Sequence, residues 1–364
     1  PIPGGPDSSR PTRILGAGWD QGCASPPELW GTERTDTVLN LTGSSNVTIA
    51  CLEITDRSGC VEFHSGGLAC QRDSYPHGDW AVRGISASDA ANVTLRHLNI
   101  HGLAHSGIHA GRLSDWTVEN VRIAANGWVG WDGDIENGSA NRGDLVFKNW
   151  TVEWNGCAET WPGGEPAGCW GQSAGGYGDG AGTGATGGNW IIEDSVFRHN
   201  TSDGLDLLYL QLDGSVTLRR TEAYGNAGDQ IKTMGTTHLE NVVAVSNCGF
   251  FTDKAFTYNV DACRSGGSAL ALTFKQNSQA NVINSTFSGQ GDCLIIAECE
   301  PGAVCSGNES VRLRNSIFLG QPEFLNPADR TSLFWFGTQH DPFSFDYSIF
   351  NGLKNIPDNC PAGS

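Results

Sequence analysis

The chain has 364 residues with 40 Asp and Glu against 22 Lys and Arg, a formal net charge of −18. This charge disfavours nucleic acid and anionic membranes as partners, and it would repel an acidic polymer unless a metal ion screened the site. Forty-nine glycines, a single Met and the lack of a long helical apolar repeat argue against a helical protein, whereas short Val, Ile, Thr and Phe runs between Asn, Gly, Asp and Ser clusters indicate an all-β chain of many strands.

The twelve cysteines lack any C-x-x-C pair with matching Cys or His spacing, which favours disulfides over zinc. Disulfides indicate an oxidising, extracellular location. No 18-residue apolar span is present, and the chain begins PIPGG without Met, so we expect a mature secreted product whose leader was removed. We expect this product to act as a monomer.

Residues 1–40 are rich in Pro, Gly and Trp, and we predict an irregular cap there, because the end of a solenoid exposes strand edges. Short strands then repeat, each with an apolar anchor, at steps of about 22–30 residues or of 44–46 residues, which are two coils or one coil with an insertion. Such a period without helical patterning predicts one right-handed parallel β-helix over 1–364. The anchors are Ile49, Leu95, Val118, Phe147, Ile192, Leu218, Leu239, Ile283, Leu313 and Phe345.

Five successive anchors are followed eight residues later by asparagine, which predicts a ladder of stacked amides along one turn of the β-helix. These residues are Asn126, Asn155, Asn200, Asn226 and Asn247. Residues 157–176 have the Gly and Pro content of a long inserted loop, which a bond between Cys157 and Cys169 would close. Residues 351–364 are predicted to be a C-terminal tail.

One motif occurs twice, in the coils that follow the anchors Ile192 and Leu218, and the two copies should stack in register. Eleven residues after these anchors lie Asp203 and Asp229, and fourteen residues after them lie Asp206 and Lys232. The stacking predicts two carboxylates above one another and a carboxylate beside a lysine. Carboxylates held this close need a cation, and their hard oxygens suit calcium.

Lys232 has two interpretations. It is either a structural ion pair with Asp206 or a general base, and a base must lose its proton near neutral pH. Partial burial or a nearby cation would lower its pKa accordingly.

Three segments of this region resemble motifs of the pectate lyases of polysaccharide lyase family nine. The segments read YGDGAG at 177–182, NTSDGLDLLY at 200–209 and GNAGDQIK at 225–232. In the same order, the family carries a D-G-F-like segment, N-S-D-D-G-W-D-L-Y and G-N-x-x-G-F-K. The resemblance covers roughly residues 115–250 and implies the same right-handed β-helix.

The resemblance also implies roles for individual residues. Asp179, Asp203 and Asp206 would bind Ca2+, and Lys232 would remove the C5 proton of a uronate in the β-elimination of a pectate-like acidic polysaccharide. Two positions depart from the family pattern, and we expect both to contact the substrate. They are Ser202, in place of the first Asp of the tandem pair, and Asp229, where the family usually has no acid.

Tryptophans crowd the segment before the motif, and sugar rings stack on tryptophan. We expect Trp131, Trp161 and Trp170 to line the substrate groove, with packing in the core or loop as the alternative. Asp132 lies fourteen residues after the anchor Val118. It is predicted to extend the acidic groove toward a further subsite or to bind a second ion.

Two other functions remain open. The segments NTSDGLD and QIKT resemble motifs of polygalacturonase-type glycoside hydrolases, in which two of Asp203, Asp206 and Asp229 would act as acid and base. The D-D and G-H-G motifs of that family are absent between residues 206 and 230; an epimerase belongs with this alternative. A non-catalytic adhesin or glycan-binding β-helix would tolerate the acidic stack but has no need for Lys232.

Overall fold

The structure is a computed structural model that describes residues 1–31, 35–56, 81–136, 138–158, 168–169, 178–211, 213–252, 260, 262–263, 266–300, 305–338 and 340–354. The first twelve strands are β1 (Thr12–Leu15), β2 (Glu28–Gly31), β3 (Thr37–Asn40), β4 (Ser45–Asp56), β5 (Arg83–Ser88), β6 (Ala91–His101), β7 (Ser106–Gly111), β8 (Ser114–Ala124), β9 (Val129–Asp132), β10 (Arg142–Glu153), β11 (Cys157–Ala158) and β12 (Gly168–Cys169). The next nine are β13 (Ala181–Gly182), β14 (Asn189–Glu193), β15 (Val196–Arg198), β16 (Leu205–Leu207), β17 (Ser215–Arg219), β18 (Glu222–Tyr224), β19 (Ile231–Met234), β20 (Thr236–Glu240) and β21 (Val243–Ser246). A 3-10 helix, Cys248–Phe251, precedes β22 (Leu270–Phe274), β23 (Gln279–Ile283), β24 (Thr286–Gly289), β25 (Cys293–Cys299), β26 (Ser310–Arg314), β27 (Ile317–Gly320), β28 (Ser332–Gly337), β29 (Phe343–Asp346) and β30 (Ile349–Asn351).

Two long sheets wrap around one core. The ten-strand sheet has the order β3-β5-β7-β9-β13-β16-β19-β22-β25-β28, and eighteen other strands form the second sheet. Neighbouring coils pair in parallel throughout both sheets, and connections between parallel strands are almost always right-handed. The chain is therefore a right-handed parallel β-helix, as the repeat predicts. None of the described residues form a helix of the length and apolarity needed to cross a bilayer.

The eighteen-strand sheet bends at one corner, which is formed by one residue in each coil. This residue lies two positions after the anchor and has a positive φ between 48° and 60°. Six of the ten corner residues are Asn or Asp, whose short polar side chains tolerate the left-handed conformation best among residues with a side chain. The corner residues are Cys51, His97, Asn120, Asn149, Asp194, Arg220, Asn241, Asn284, Asn315 and Tyr347.

The predicted anchors pair directly across successive coils, with one exception. Leu239 lies opposite Val282 rather than Ile283, so the prediction of Ile283 is wrong by one residue. Because side chains alternate along a strand, Val282 points into the core and Ile283 points outward. The longest steps are single coils that carry insertions, since Phe147 pairs with Ile192 without an intervening coil.

The amide ladder is confirmed for four of its five members. The Nδ2 groups of Asn126, Asn155 and Asn200 each donate to the Oδ1 of the asparagine in the next coil, at 3.0, 2.9 and 2.8 Å. Asn226 ends the ladder by donating to Gln230 Oε1 at 2.9 Å. The prediction for Asn247 is wrong: the chain turns into the 3-10 helix there and leaves Asn247 exposed.

We expect Asn200→Ala to destabilise the fold by about 2–4 kcal/mol. The substitution leaves the Nδ2 donor of Asn155 and one acceptor position on Asn226 unsatisfied inside the protein, and each buried group without a partner costs about 1–3 kcal/mol. Asn247→Ala is the matched control and should change stability by less than about 0.5 kcal/mol. Denaturant unfolding of both variants measures the difference, and equal losses would contradict the ladder.

The insertion at 157–176 begins with the antiparallel pair β11 and β12, which the predicted Cys157–Cys169 disulfide joins. Further disulfides link Cys23 to Cys51, Cys248 to Cys263, and Cys299 to Cys305. Within 1–40, β1 and β2 pair with β4, and β3 pairs with β5. The division into cap, loop and tail stays a prediction.

Candidate carboxylate and lysine site

Lys232 and Asp206 lie side by side on the outer face of the ten-strand sheet, as their shared offset predicts. Asp206 in β16 pairs in register with Lys232 in β19. On the other side of Asp206, the same row continues to Gly182 in β13 and then to Asp132 in β9. Inward-pointing residues such as Leu205 alternate with this row, so the row, called the groove below, lies on the outer side of the sheet along the helix axis.

A second row of carboxylates lies in the turns that immediately precede these strands. Asp179 Oδ1 accepts the backbone N–H of Asp203 at 3.0 Å, and Asp203 Oδ1 accepts that of Asp229 at 2.7 Å. Asp229 Oδ1 in turn accepts the N–H of Ser268 at 2.7 Å. The predicted stacking of Asp203 on Asp229 is confirmed, and each carboxylate is held by the coil that follows it.

The ammonium group of Lys232 lies among three carboxylates. Its Nζ is 2.8 Å from Asp203 Oδ2, 3.4 Å from Asp229 Oδ2 and 3.9 Å from Asp206 Oδ2. Burial acts to lower the pKa of Lys232, but the three carboxylates outweigh it and raise the pKa well above its ordinary value. The expectation of a lowered lysine pKa is therefore wrong for the metal-free protein, in which Lys232 is protonated.

Three of the carboxyl groups at this site have a pKa above the ordinary value for aspartate. Burial and the neighbouring Asp203 raise the pKa of Asp179 to about 6. Burial also raises the pKa of Asp229 to about 6 and that of Asp206 to about 8, although Lys232 opposes both shifts. A cation bound at this site would therefore stabilise the ionised form of the carboxylates.

Three of these acids form a set that fits a metal ion. One oxygen from each of Asp179, Asp203 and Asp206 lies within 4.8 Å of the others. Gly182 keeps the space beside them open, because a Cβ there would meet Asp179 Oδ2 at 2.9 Å. Calcium takes about six to eight hard oxygens, so three carboxylates leave positions for water and for a substrate carboxylate. The donor set therefore fits calcium.

Two residues predicted to contact the substrate are buried. The side chain of Ser202 is fully buried and hydrogen-bonds to Asp179, which opposes part of the rise in the pKa of that acid. Asp229 is 2% exposed and contacts Lys232 and Ser268. Burial therefore argues against direct substrate contact by either residue, and their contact with substrate stays a prediction.

Trp131 is not a groove residue either. It is fully buried and packs edge-on against Trp116, Phe147 and Trp150 in the core. Asp132, the next residue, points outward and stays in the groove, because neighbours along a strand face opposite sides of the sheet. Trp161 and Trp170 lie outside the described residues.

One residue of the outer row was not predicted from the sequence. His109 precedes Asp132 in this row, and its Nδ1 lies 2.7 Å from Asp132 Oδ2. The signal was present, because His109 lies fourteen residues after the anchor Leu95, the offset shared by Asp132, Asp206 and Lys232.

No protein-family model matches the sequence, and no curated protein matches it. Among solved structures, the A-module of the Azotobacter vinelandii mannuronan C-5 epimerase AlgE6 is 12% identical over 93% of this chain and 83% of its own, with a TM-score of 0.51. The likeness shows the fold alone. The pectate lyase Pel9A is 14% identical over 95% of this chain and 76% of its own, with a TM-score of 0.41. An alginate lyase from Paenibacillus sp. str. FPU-7 is 16% identical over 84% of each chain, with a TM-score of 0.36.

Proposed function

We propose that the protein is a secreted polysaccharide lyase that cleaves a uronate-containing, pectate-like polysaccharide by calcium-assisted β-elimination. The observation that carries the proposal is the position of Lys232. Its side chain is 14% exposed on the outer face of the sheet, at the edge of a carboxylate set that fits calcium. Elimination needs one base beside the acidic C5 proton of the sugar, and Lys232 supplies an amine there.

Asp179, Asp203 and Asp206 are the residues that would hold the cation. When bound, calcium supplies positive charge that neutralises the uronate carboxylate and so acidifies its C5 proton. The protein holds these carboxylates in place, since Oδ1 of Asp179 and Oδ1 of Asp203 each accept a hydrogen bond from a backbone N–H group of the next coil. Asp206 is held by the N–H of Leu208 at 2.9 Å. The remaining oxygens of Asp203 and Asp206 lie 2.8 and 3.9 Å from Lys232 Nζ, so the proposed base borders the proposed cation site.

Lys232 is the proposed base. Its side chain is 14% exposed, whereas those of Asp203 and Asp229 beside it are 5% and 3% exposed. A substrate would therefore reach Lys232 from the outer face of the sheet. Because the same carboxylates hold Lys232 protonated in the metal-free protein, the amine must lose a proton before it acts. Activity is expected to rise with pH for this reason.

The geometry favours elimination over hydrolysis. A hydrolase needs two carboxyl groups on either side of the scissile bond, about 5–5.5 Å apart for retention and about 6.5–9.5 Å for inversion. One oxygen from each of Asp179, Asp203 and Asp206 lies within 4.8 Å of the others on one side of the groove. The remaining acid, Asp229, is buried against Ser268. These four acids therefore form one compact cluster around Lys232 rather than two carboxyl groups that face each other across a sugar, which favours elimination.

The proposal is tested by a screen of uronate polymers with the wild-type protein, with calcium and with a chelator. A lyase produces a chain end with a C4–C5 double bond, which absorbs ultraviolet light, and the signal should vanish when calcium is removed. New reducing ends without this absorbance would identify a hydrolase. A change in C5 configuration without chain cleavage would identify an epimerase, whose reaction also begins with removal of the C5 proton. No change in any polymer would favour the non-catalytic adhesin.

Secretion is part of the same proposal. Four disulfides within the described residues are compatible with an oxidising compartment, where an enzyme meets extracellular polysaccharide. An acidic polysaccharide is the proposed partner of an acidic protein because the cation reverses the local sign of charge. Monomeric action is proposed as well, since the groove and the cluster are built from one chain.

A further inference from the structure

The ten-strand sheet carries a second polar site, on the N-terminal side of the carboxylate cluster. It is a cavity of about 240 Å³, with Thr42, Ser86, Ser88, His109, Arg112 and Glu136 in its lining. We propose that this cavity is a subsite for an uncharged sugar residue. The inference rests on the proposed function and extends it, because the substrate would then be a polysaccharide that contains neutral sugars as well as uronates.

The register of the sheet places this cavity in line with the proposed catalytic site. His109 pairs with Asp132, Asp132 with Gly182, Gly182 with Asp206, and Asp206 with Lys232. His109 is thus three strand spacings from Asp206 and four from Lys232, or about 14 and about 19 Å along the groove. A sugar ring in an extended chain is comparable in length to one strand spacing. One polymer lying along the row would reach the cavity three to four sugars from Lys232.

His109 is held in a fixed orientation. Its Nδ1 lies 2.7 Å from Asp132 Oδ2, and because an ionised carboxylate only accepts hydrogen bonds, Nδ1 donates this one. The side chain remains 25% exposed, which leaves the other edge of the ring toward the groove. A sugar hydroxyl both donates and accepts, so it pairs with Nε2 whether or not that nitrogen carries a proton. A carboxylate is a partner only for the protonated form.

The charges around the cavity argue against a uronate. Arg112 is the one lining residue that carries a positive charge at every accessible pH, and four of its five N–H donors are engaged. Its Nε and Nη2 bind Asp89 at 2.8 and 3.0 Å, and its Nη1 binds the backbone oxygens of Glu136 and Gly138 at 2.7 and 3.3 Å. The side chain of Glu136 is exposed at the rim. A substrate carboxylate placed here would be repelled by Glu136, which lines the cavity, and by Asp132, which is bound to His109.

Size and the remaining groups suit one neutral ring. The volume lies just below the roughly 300 Å³ at which sites for larger small molecules begin. Thr42 and Ser88 add hydroxyls, which can hydrogen-bond to sugar hydroxyls in either direction, and Ser86 adds a third hydroxyl that already pairs with Thr37 Oγ1 at 2.8 Å. Ile135 adds an apolar contact for the C–H face of a ring. This mixture of short hydroxyls with one imidazole matches an uncharged polyol.

The test is saturation-transfer NMR with neutral tetrasaccharides of glucose, galactose, mannose and xylose, beside an oligogalacturonate. Four proteins are compared: wild type, Ser88→Trp to fill the cavity, His109→Ala to remove the imidazole, and Val243→Trp as a control on the opposite sheet, where Val243 is 36% exposed. Thermal unfolding confirms that each is folded. We expect a neutral saccharide to bind wild type and Val243→Trp alike, and its affinity to fall at least about tenfold in the other two variants, equivalent to about 1.4 kcal/mol.

Three outcomes would overturn the inference: no neutral saccharide binds, binding is unchanged in Ser88→Trp, or only the oligogalacturonate loses affinity in the cavity variants. The experiment needs no turnover, so it separates the two proposals. If wild type yields no unsaturated product from any uronate polymer, the lyase proposal fails, whereas the cavity result is read from binding alone.

Discussion

Lys232→Ala is expected to remove nearly all lyase turnover, by a factor of about 10² or more, because no other lysine among the described residues is paired with the carboxylate set to take the C5 proton. The loss should appear in kcat with calcium saturating, where substrate binding is intact. Lys232 also balances Asp203, Asp206 and Asp229, so the variant should be less stable than wild type when calcium is chelated. Initial rates from ultraviolet absorbance and thermal unfolding with and without calcium measure the two effects separately.

Lys232→Arg separates the base from the ion pair. Arginine keeps the positive charge beside Asp203 but does not give up its proton at accessible pH. We expect stability near that of wild type together with loss of turnover. Lys148, 49% exposed and paired with Glu193 on the other sheet, is the matched control, and Lys148→Arg should leave the rate unchanged. An arginine variant that cleaves at the wild-type rate would exclude Lys232 as the base.

The register between successive coils is the part of this site that a repeating sequence predicts. A residue at a fixed offset from a buried anchor must return to the same row one coil later, which is why the pairs Asp203 with Asp229 and Asp206 with Lys232 were predicted correctly. The same offset leads to His109, which was not predicted because it lies outside both copies of the duplicated motif. Fold and row are therefore accessible from periodicity alone.

The side of the sheet that each side chain faces, and the points at which the chain changes direction, were harder to predict. Trp131 and Asp132 are adjacent, and only the alternation along β9 decides that the acid faces the groove and the tryptophan the core. Asn247 keeps its offset, but an insertion redirects the chain after it. The protonation of Lys232 depends on three distances of 2.8 to 3.9 Å that the sequence does not contain. The chemistry within a row thus depends on side-chain distances that only the structure shows.

The second large effect concerns the metal-free protein, which should lose stability as pH rises from about 4 to about 8. Folding raises the pKa of Asp179 and Asp229 to about 6 and that of Asp206 to about 8, so the folded chain holds protons that the unfolded chain releases near its ordinary pKa of 3.8. Stability is fully present below that value and is lost as pH passes the folded values. Lys232, with its raised pKa, is protonated in both states across this window and adds no slope.

Calcium should reverse this loss, because it binds the ionised carboxylates and competes with their protons. The calcium-induced rise in Tm is expected to be large at about pH 8 and small at about pH 5, and calcium at about 100 times its Kd would add about 2.7 kcal/mol. Asp203→Asn should abolish the rise, since Asp203 is the central member of the set, and the exposed Asp213→Asn should retain it. Thermal unfolding in chelator and in calcium at both pH values is the measurement. A Tm at pH 8 that is the same in both would mean that these carboxylates, with Lys232 among them, form a closed ion-pair network rather than a metal site.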